Sequence, residues 1–256
     1  MSDYRKITYS VEQGIARVTL NRPEKRNALD GELVSDLACA LEQSAEDQAV
    51  RVVVLAGAGP DFCSGADLDA IRRIAEAGVM ENAADARHLG DVFLAMRRHP
   101  RPVVAAVRGR ALAGGCGVAT GADIILAAES AQFGYPEIRI GFVPAMVMAI
   151  LRRAVSEKRA FELLATGEII SARTALEIGM ITRVFADDVF ERETEAYVTQ
   201  LAGRSASALA LTKSLFHQTD AAAFEAALAA GVQTNALARL TEDCKRGIEE
   251  FLKKTR

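Results

Sequence analysis

Several residue types that build common active sites are scarce in this sequence. The chain of 256 residues has no Trp, three His and four Cys. The four Cys residues stand far apart and form no C-x-x-C pair, which excludes the usual spacing of a zinc site or a redox pair. The three His residues have no distinctive local pattern, which argues against a Ser-His-Asp hydrolase. The chemistry of this chain therefore has to come from other groups.

Charge and hydropathy exclude two further classes of protein. Lys and Arg number 31 and Asp and Glu number 34, so the formal net charge is −3, without the basic excess of a nucleic-acid binder. The longest apolar stretch, residues 142–151, is about half of the ~20 residues that a membrane span needs. The first ten residues are polar and mixed in charge, unlike a signal peptide. We expect a soluble cytoplasmic protein that binds neither nucleic acid nor membrane.

Small residues are abundant within an apolar half of the chain. Apolar residues make up 50% of the sequence, and 19 residues are Gly. Continuous apolar runs at 52–55, 103–107 and 124–127 are typical of strands that are buried on both faces, and helical patterns separate them. Such alternation predicts an α/β fold with a largely parallel sheet. After about residue 182 Ala-rich helices dominate. We therefore predict a core over residues 1–187 and a helical region over 188–256 for packing and oligomerisation.

Two motifs resemble functional loops but fail in their detail. Gly57 and Gly59 follow a buried strand, yet a dinucleotide-binding fingerprint needs a third Gly where Phe62 stands. Ser64 lies between small residues, yet the G-x-S-x-G elbow of a hydrolase fails because Phe62 and Ala66 replace its two Gly residues. We therefore predict neither pyrophosphate binding nor a serine nucleophile here.

Two Gly-bearing loops follow neighbouring predicted strands. Residues 62–68 follow one strand, and residues 108–115 follow another and run directly into a helix. Small residues let a ligand approach main-chain N–H groups, and the start of a helix adds the positive end of its dipole. At the carboxyl ends of adjacent strands, two such loops can direct two N–H donors at one oxygen, as an oxyanion hole does. Either loop alone would indicate only a tight turn chosen for packing.

A single acidic residue stands in an apolar segment further along the chain. Glu137 follows Pro136 and lies between Tyr135 and Ile138. A carboxyl group in apolar surroundings has a raised pKa, which suits it to exchange protons near neutral pH. The alternative is a solvated residue at the start of a helix, where acidic residues are favoured.

Taken together and in this order, these segments resemble the crotonase family, the enoyl-CoA hydratase/isomerase superfamily. The resemblance is carried by residues 21–29, 62–68, 107–117, 122–125, 131–137 and 141–144, and it covers essentially the whole chain. It implies a spiral of ββα units with a helical C-terminal region, assembled as a trimer or a dimer of trimers. Members of this family bind acyl-CoA thioesters and stabilise an enolate of the thioester. Because the substrate carries the coenzyme A, neither a separate cofactor nor a metal is expected.

The resemblance also implies roles for particular residues. The N–H groups of Ala66 and Gly114 would form the oxyanion hole, and Glu137 would be the catalytic acid/base. The residues implied for binding the CoA nucleotide, its pantetheine arm and the thioester are Lys25, Arg26, Ala28, Ser64, Gly65, Ala66, Asp67, Leu68, Gly114, Phe251 and Lys254. Asp67 is expected to hold its own loop rather than to contact substrate. Phe251 and Lys254 match a part of the family pattern that sometimes reaches CoA from a neighbouring subunit.

One departure from the family pattern leaves the reaction open. Hydratases of this family usually carry two glutamates; Glu137 matches the second, whereas Gly117 stands where the first would be. The Gly-rich stretch after Pro144 is replaced by larger residues at 145–148, which should reshape the acyl pocket. We expect an enoyl-CoA hydratase-type lyase acting on a short or branched enoyl-CoA. The alternatives are a 3-enoyl-CoA to 2-enoyl-CoA isomerase that uses Glu137 alone, or a weakly active CoA-ester-binding protein.

Overall fold

A computed structural model describes residues 4–254 of the chain, with Lys254 described by its backbone only. The strands are β1 Ile7–Glu12, β2 Ile15–Leu20, β3 Val52–Gly57, β4 Val103–Val107, β5 Arg110–Leu112, β6 Ile124–Ala128, β7 Gln132–Gly134, β8 Ile169–Ser171 and β9 Arg183–Phe185. One six-stranded sheet has the order β1-β2-β3-β4-β6-β9, and a three-stranded sheet has the order β5-β7-β8. In the larger sheet β2, β3, β4, β6 and β9 are parallel, as predicted, and β1 is antiparallel to β2.

Helices connect and cover these strands. They are α1 Gly31–Glu46, α2 Leu68–Glu76, α3 Val79–Arg98, α4 Gly114–Thr120, α5 Ala145–Ala154, α6 Glu157–Thr166, α7 Ala172–Glu177, α8 Phe190–Ala202, α9 Ala206–Gln218, α10 Phe224–Ala238 and α11 Glu242–Lys254. Short 3₁₀ helices span Pro23–Lys25 and Pro136–Ile140. Asp30 caps α1, as its position predicts, by accepting the N–H of Leu33 at 2.9 Å.

Each face of the large sheet has its own apolar cluster. On one face α1 packs beside α3, and the buried Leu33 and Leu37 of α1 belong to the main core. On the other face Phe190 and Val198 of α8 pack on residues of the central strands such as Val104. Burial on both faces explains why these strands read as continuous apolar runs. Because α8 belongs to this second cluster, the predicted helical region begins with a helix that is part of the core.

The sequence predicts only the second half of α3. The sequence pattern of this segment predicts a helix over 89–97. In the structure α3 begins at Val79, and it follows a further helix, α2, that the sequence does not predict. No residue of α2 is buried, and the buried residues of α3 begin at Val92. These turns lie at the surface, where apolar periodicity gives a weak signal.

A buried ion pair fixes α9 at the amino ends of two strands. The Lys213 ammonium donates to Asp123 Oδ2 at 2.7 Å and to the carbonyl oxygens of Met96 and Arg101 at 2.8 and 3.1 Å. Asp123 precedes β6, and its Oδ2 also accepts the N–H of Val103, the first residue of β4, at 2.7 Å. The buried lysine thus has three oxygen partners, which is what an ammonium group needs when it leaves water.

The last helix, α11, is held at the same end of the sheet. Asp243 near its start accepts hydrogen bonds from the Ser205 and Ser207 hydroxyls at 2.8 and 2.9 Å, at the beginning of α9. These bonds lower the pKa of Asp243 to about 2. The helix also lines a cleft together with Arg51, the residue before β3. The C-terminal helix therefore lies at the amino end of the large sheet.

A buried histidine makes the stability of this fold depend on pH. His99 is 3% exposed, and its Nδ1 accepts the N–H of Arg101 at 3.0 Å. Burial lowers the pKa of His99 from 6.5 to about 4. Between these values the unfolded chain binds a proton that the folded chain does not, so stability is present above pH 6.5 and is lost as the pH falls toward 4.

We expect His99 to account for about 3 kcal/mol of the free energy of unfolding that is lost over this interval. Denaturant unfolding between pH 7 and pH 4 measures the loss, and His99→Gln should flatten the dependence by a comparable amount. His88→Gln is the matched control, since His88 is only half-buried. Equal pH dependence in wild type and His99→Gln would contradict this assignment.

Candidate active site

The loop after β3 is held on both edges at the carboxyl end of the parallel strands. On one edge the N–H of Cys63 donates to the carbonyl of Arg110 in β5 at 2.9 Å. On the other edge the N–H of Leu29 donates to Gly65 O at 2.7 Å, and the N–H of Asp67 donates to Leu29 O at 2.8 Å. Backbone bonds on both sides give this loop the rigidity of a strand, so the peptides between them have fixed directions.

The two peptides predicted to form the oxyanion hole follow residues that touch each other. Gly65 precedes Ala66 with φ +97°, and Ala113 precedes Gly114 with φ +52° and ψ −131°. A Cβ on Gly65 would lie 2.8 Å from the Cβ of Ala113, so only glycine fits there. A positive φ is strained for alanine, and strain of this kind clusters at functional sites. The strain orients the peptide that carries the Gly114 N–H.

Both predicted donors are unpaired. Within residues 4–254 neither the N–H of Ala66 nor that of Gly114 donates to a protein acceptor. Gly114 is the first residue of α4, so its N–H has no partner inside the helix. Leu29 connects the two positions, because it pairs with Ala66 and its Cδ1 lies 3.1 Å from where a Gly114 Cβ would be. The structure therefore brings the two predicted donors together.

Glu137 lies in the 3₁₀ helix that follows β7. Its side chain is half-buried, and its Oε2 is fully buried without a hydrogen-bond partner among the described residues. Burial raises the pKa of Glu137 above its usual value. A buried carboxylate oxygen without a hydrogen-bond partner is rare in folded proteins and is consistent with a chemical role. These properties favour a proton-exchanging carboxyl over a solvated residue at a helix start.

Tyr135 ties the segment that carries Glu137 to α4. The ring of Tyr135 is fully buried, and its hydroxyl lies 3.0 Å from the Thr120 hydroxyl in the last turn of α4. Beside it, the N–H of Ala113 donates to Gly134 O at 2.8 Å. Burial raises the pKa of Tyr135 well above its usual value, so the phenol stays neutral. Tyr135 therefore positions the segment and does not act as a second base.

Apolar side chains occupy the place implied for the first family glutamate. A Cβ on Gly117 would clash with Cγ1 of Val147 and lie 3.1 Å from Cζ of Phe93. One turn earlier, a Cβ on Gly114 would lie 3.5 Å from Cδ2 of Leu89. The face of α4 that carries both glycines is therefore covered by α3 and α5, and the missing carboxylate is replaced by hydrocarbon.

Only part of the replaced stretch at 145–148 faces inward. Val147 is buried, and the Sδ of the half-buried Met146 lies 3.8 Å from the Cβ position of Gly90 on α3. Ala145 and Met148 are exposed. Of residues 145–148 only Met146 and Val147 face inward, because α5 turns successive side chains to different sides, and their effect on an acyl pocket stays a prediction.

The basic loop before α1 packs against the same site. The N–H of Ser64 donates to Arg26 O at 3.0 Å, and the side chains of Lys25 and Arg26 are exposed. The buried Asn27 holds this loop, because its amide donates to Ala58 O at 2.9 Å and to Asp61 O at 2.8 Å. Two cations thus stand at the rim of the site.

The Arg22 side chain holds two of the predicted binding residues in place through hydrogen bonds. It donates to Ala28 O at 2.6 Å and to Asp67 Oδ2 at 2.9 Å. Asp67 is buried and also caps α2 by accepting the N–H of Asp69 at 2.8 Å. Although burial acts to raise it, the pKa of Asp67 lies below its usual value because Asp69 N–H and Arg22 bind the carboxylate. Asp67 therefore holds its own loop, and the side chain of Ala28 is buried at 6% exposure.

Sequence reasoning gave Arg22 and Asn27 no role beyond the family motif. Their partners Asp67 and Ala58 lie 45 and 31 residues further along the chain, so no local spacing reveals the contacts. Leu68, by contrast, begins α2 with an exposed side chain at the rim of the site.

One predicted CoA-binding residue, Phe251, is not brought to this site, and the side chain of another lies outside the described residues. Phe251 is 69% exposed and lies on α11, beside the cleft lined by Arg51. Arg51 precedes β3, whereas Ala66 follows its other end. The side chain of Lys254 lies outside the described residues. A contact of either residue with CoA at this chain's own site has no support, and a contact with a neighbouring copy's site stays a prediction.

The thiols and acidic groups of the described residues offer no metal site. No group of three or more His, Cys, Asp or Glu within residues 4–254 is arranged to hold an ion. Burial raises the pKa of the Cys63 and Cys116 thiols to about 12, so neither is a thiolate near neutral pH. In the same part of the chain no helix is long and apolar enough to cross a membrane.

Two unpaired main-chain donors, and a protonatable carboxyl group on a segment bonded to α4, are groups with which an enzyme can polarise a carbonyl oxygen and move a proton. The family described as Enoyl-CoA hydratase/isomerase matches residues 10–256. A Thermus thermophilus protein with a provisional enoyl-CoA hydratase name is 40% identical over 95% of this chain and 97% of its own length. The 2,3-dehydroadipyl-CoA hydratase of Escherichia coli K12 is 34% identical over 97% of this chain and 96% of its own.

A solved structure that is similar to this chain is also an enoyl-CoA hydratase. The crystal structure of an enoyl-CoA hydratase from Mycobacterium smegmatis superimposes with a TM-score of 0.94 at 35% identity, covering 98% of this chain and 97% of the other. The chain therefore belongs to the enoyl-CoA hydratase/isomerase family, has the crotonase fold and is an enzyme of that family.

Proposed function

We propose that this chain is an enoyl-CoA hydratase that acts on a short or branched enoyl-CoA through an enolate, with Glu137 as acid and base. The observation that carries the proposal is the pair of unpaired N–H groups, Ala66 and Gly114, together with a carboxyl group whose buried oxygen has no hydrogen-bond partner on the segment bonded to α4. The hydratase names of the relatives support water addition as the reaction.

The proposed steps use the two N–H donors throughout and use Glu137 first as a base and then as an acid. The thioester oxygen accepts hydrogen bonds from Ala66 and Gly114, and each donor is worth ~3 kcal/mol as negative charge develops on that oxygen. The oxygen of water bonds to C3 while Glu137 takes one of its protons, and the electrons of the C2–C3 double bond move into the enolate. Glu137 then returns the proton to C2, and the C=O bond forms again.

Isomerisation of a 3-enoyl-CoA is the second candidate, and one observation favours it. The position implied for a second carboxylate is Gly117, where Val147 and Phe93 fill the space with hydrocarbon. A single base suffices for isomerisation, because Glu137 can remove a proton from C2 and return it to C4 while the double bond moves from C3–C4 to C2–C3.

The proposed substrate follows from the walls and rim of the site. Leu89, Phe93 and Val147 present apolar bulk beside α4, and Met146 does so beside α3, which suits a short or branched acyl group. The exposed Lys25 and Arg26 at the rim can face the phosphates of CoA.

Self-association as a trimer or a dimer of trimers is part of the same proposal. On α10 the exposed Phe224, Leu228 and Val232 recur every four residues and form one apolar face. An apolar stripe of this kind is typical of an interaction surface.

A product assay tests the proposed reaction. We expect the purified protein to remove the absorbance of a conjugated 2-enoyl-CoA and to form the 3-hydroxyacyl-CoA, identified by mass. Formation of that absorbance from a 3-enoyl-CoA would instead establish isomerisation. A protein that binds acyl-CoA esters and catalyses neither reaction would contradict the proposal and indicate a weakly active CoA-ester-binding protein.

A further inference from the structure

The region around Gly117 lies on the same face of α4 as Gly114, one of the two predicted oxyanion-hole residues. Gly114 and Gly117 are three residues apart, so they share one face of α4. Side chains at these positions would meet Leu89 and Phe93 respectively, and these two residues are four apart on one face of α3. Whatever fills the space beside Gly117 therefore borders the reacting atoms that the Gly114 N–H would hold.

This space offers water no partner. The N–H of Gly117 donates to Ala113 O at 2.9 Å, and its carbonyl accepts the N–H of Gly121 at 2.8 Å. The three atoms nearest to the Cβ position of Gly117 are carbon atoms of Val147 and Phe93. A buried water needs two to four polar partners, so the space stays dry.

We infer that Val147 is a specificity-determining residue, which with Phe93 excludes water beside Gly117 and thereby sets the ratio of water addition to internal proton transfer. The inference rests on the proposed enolate chemistry. With this space dry, no water is held beside Gly117, so water addition to C3 is slower, relative to internal proton transfer, than it would be with a carboxylate-bound water there. Removing the Val147 methyl groups opens the space, and a carboxylate at position 117 then holds water there.

The two positions must change together. A side chain at position 117 clashes with Cγ1 of Val147, and a β-branched residue in a helix has essentially one χ1 rotamer and cannot turn aside. In Val147→Ala that methyl group is absent, and the nearest remaining atom, Phe93 Cζ at 3.1 Å, belongs to a larger side chain that can shift by a few tenths of an ångström. Gly117→Glu is therefore made in the Val147→Ala background.

The experiment compares wild type, Val147→Ala, the double variant Gly117→Glu/Val147→Ala, and Met148→Ala as a matched control. Met148 is the next residue of α5 and is exposed. For each protein kcat/KM is measured for hydration of a 2-enoyl-CoA and for isomerisation of a 3-enoyl-CoA of the same chain length. We expect the ratio of hydration to isomerisation to rise by about tenfold or more in the double variant, to rise less in Val147→Ala, and to be unchanged in Met148→Ala.

Each outcome decides a different question. An unchanged ratio in a folded double variant, or in Val147→Ala if the double variant does not fold, overturns the role of Val147. An equal rise in Met148→Ala also overturns it, because the effect would then be general to α5. A wild type that turns over neither thioester refutes the proposed function itself and not the role of Val147 within it.

Discussion

Glu137→Gln should lower turnover by about 10²–10⁴-fold while changing the affinity for a saturated acyl-CoA little. Gln has nearly the volume of Glu and can still fill the half-buried position, but it can neither take nor return a proton. The raised pKa of Glu137, caused by burial, suits both halves of that exchange near neutral pH. Steady-state kinetics with an enoyl-CoA, together with calorimetric titration of the saturated ester, separates catalysis from binding.

The control for this variant is Glu177→Gln, which changes an exposed glutamate at the end of α7. It should retain wild-type turnover. Wild-type turnover in Glu137→Gln would refute the role of Glu137 as acid and base. A parallel loss of turnover and affinity would assign Glu137 to binding instead.

Gly114→Pro should lower kcat by about 10²–10³-fold, because proline removes the N–H that would support the developing enolate oxygen. Gly114 is the first residue of α4, a position that accepts proline because its N–H has no partner within the helix. The strained Ala113 before it makes a fold check necessary. Thermal unfolding and circular dichroism provide that check beside the kinetics.

Gly114→Ala is the matched control, because alanine keeps the N–H and adds a Cβ. That atom would lie 3.1 Å from Leu29 Cδ1, the mobile end of a side chain, so a small adjustment accommodates it. We expect Gly114→Ala to retain much more activity than Gly114→Pro. A folded, fully active Gly114→Pro would refute the oxyanion hole at this loop, and equal losses in both variants would point to steric disturbance.

These two variants and the Val147 series address different parts of one site. Glu137 and Gly114 serve the proton transfer and the enolate stabilisation that hydration and isomerisation both require, so both reactions should fall together when either residue is changed. Val147 affects only the addition of water, the step that forms the enolate in hydration and is absent from isomerisation. A variant set that changes the two reactions together at Glu137 and differently at Val147 would therefore separate the common requirements from the step that belongs to hydration alone.

Local patterns account for what the sequence predicts correctly. The parallel strands read as apolar runs because both faces are covered, and Asp30 reads as a cap because its partner is three residues away. Gln13 and Gly14 lie between two strand-like stretches and so predict a hairpin turn, and in the structure both residues have positive φ and join β1 to β2. The small sheet was not predicted, because strands of three residues, such as β7, are too short to show a period.

The candidate site likewise has a part that the sequence predicts and a part that it does not. The local sequence is enough to indicate the two Gly-bearing loops and an acidic residue in apolar surroundings. The order of these motifs along the chain indicates the family. By itself the sequence thus determines that Ala66, Gly114 and Glu137 are the groups to examine, and that Gly117 lacks a carboxylate.

Only the tertiary structure decides what stands in the place of that carboxylate and where the last helix lies. Val147, Phe93 and Gly117 belong to three helices, and no spacing in the chain predicts that their atoms meet. Phe251 likewise matches a family position, but the Asp243 contacts hold its helix at the opposite end of the sheet from Ala66. Periodicity fixes which face of an element is apolar, whereas packing between elements decides which atoms share a pocket.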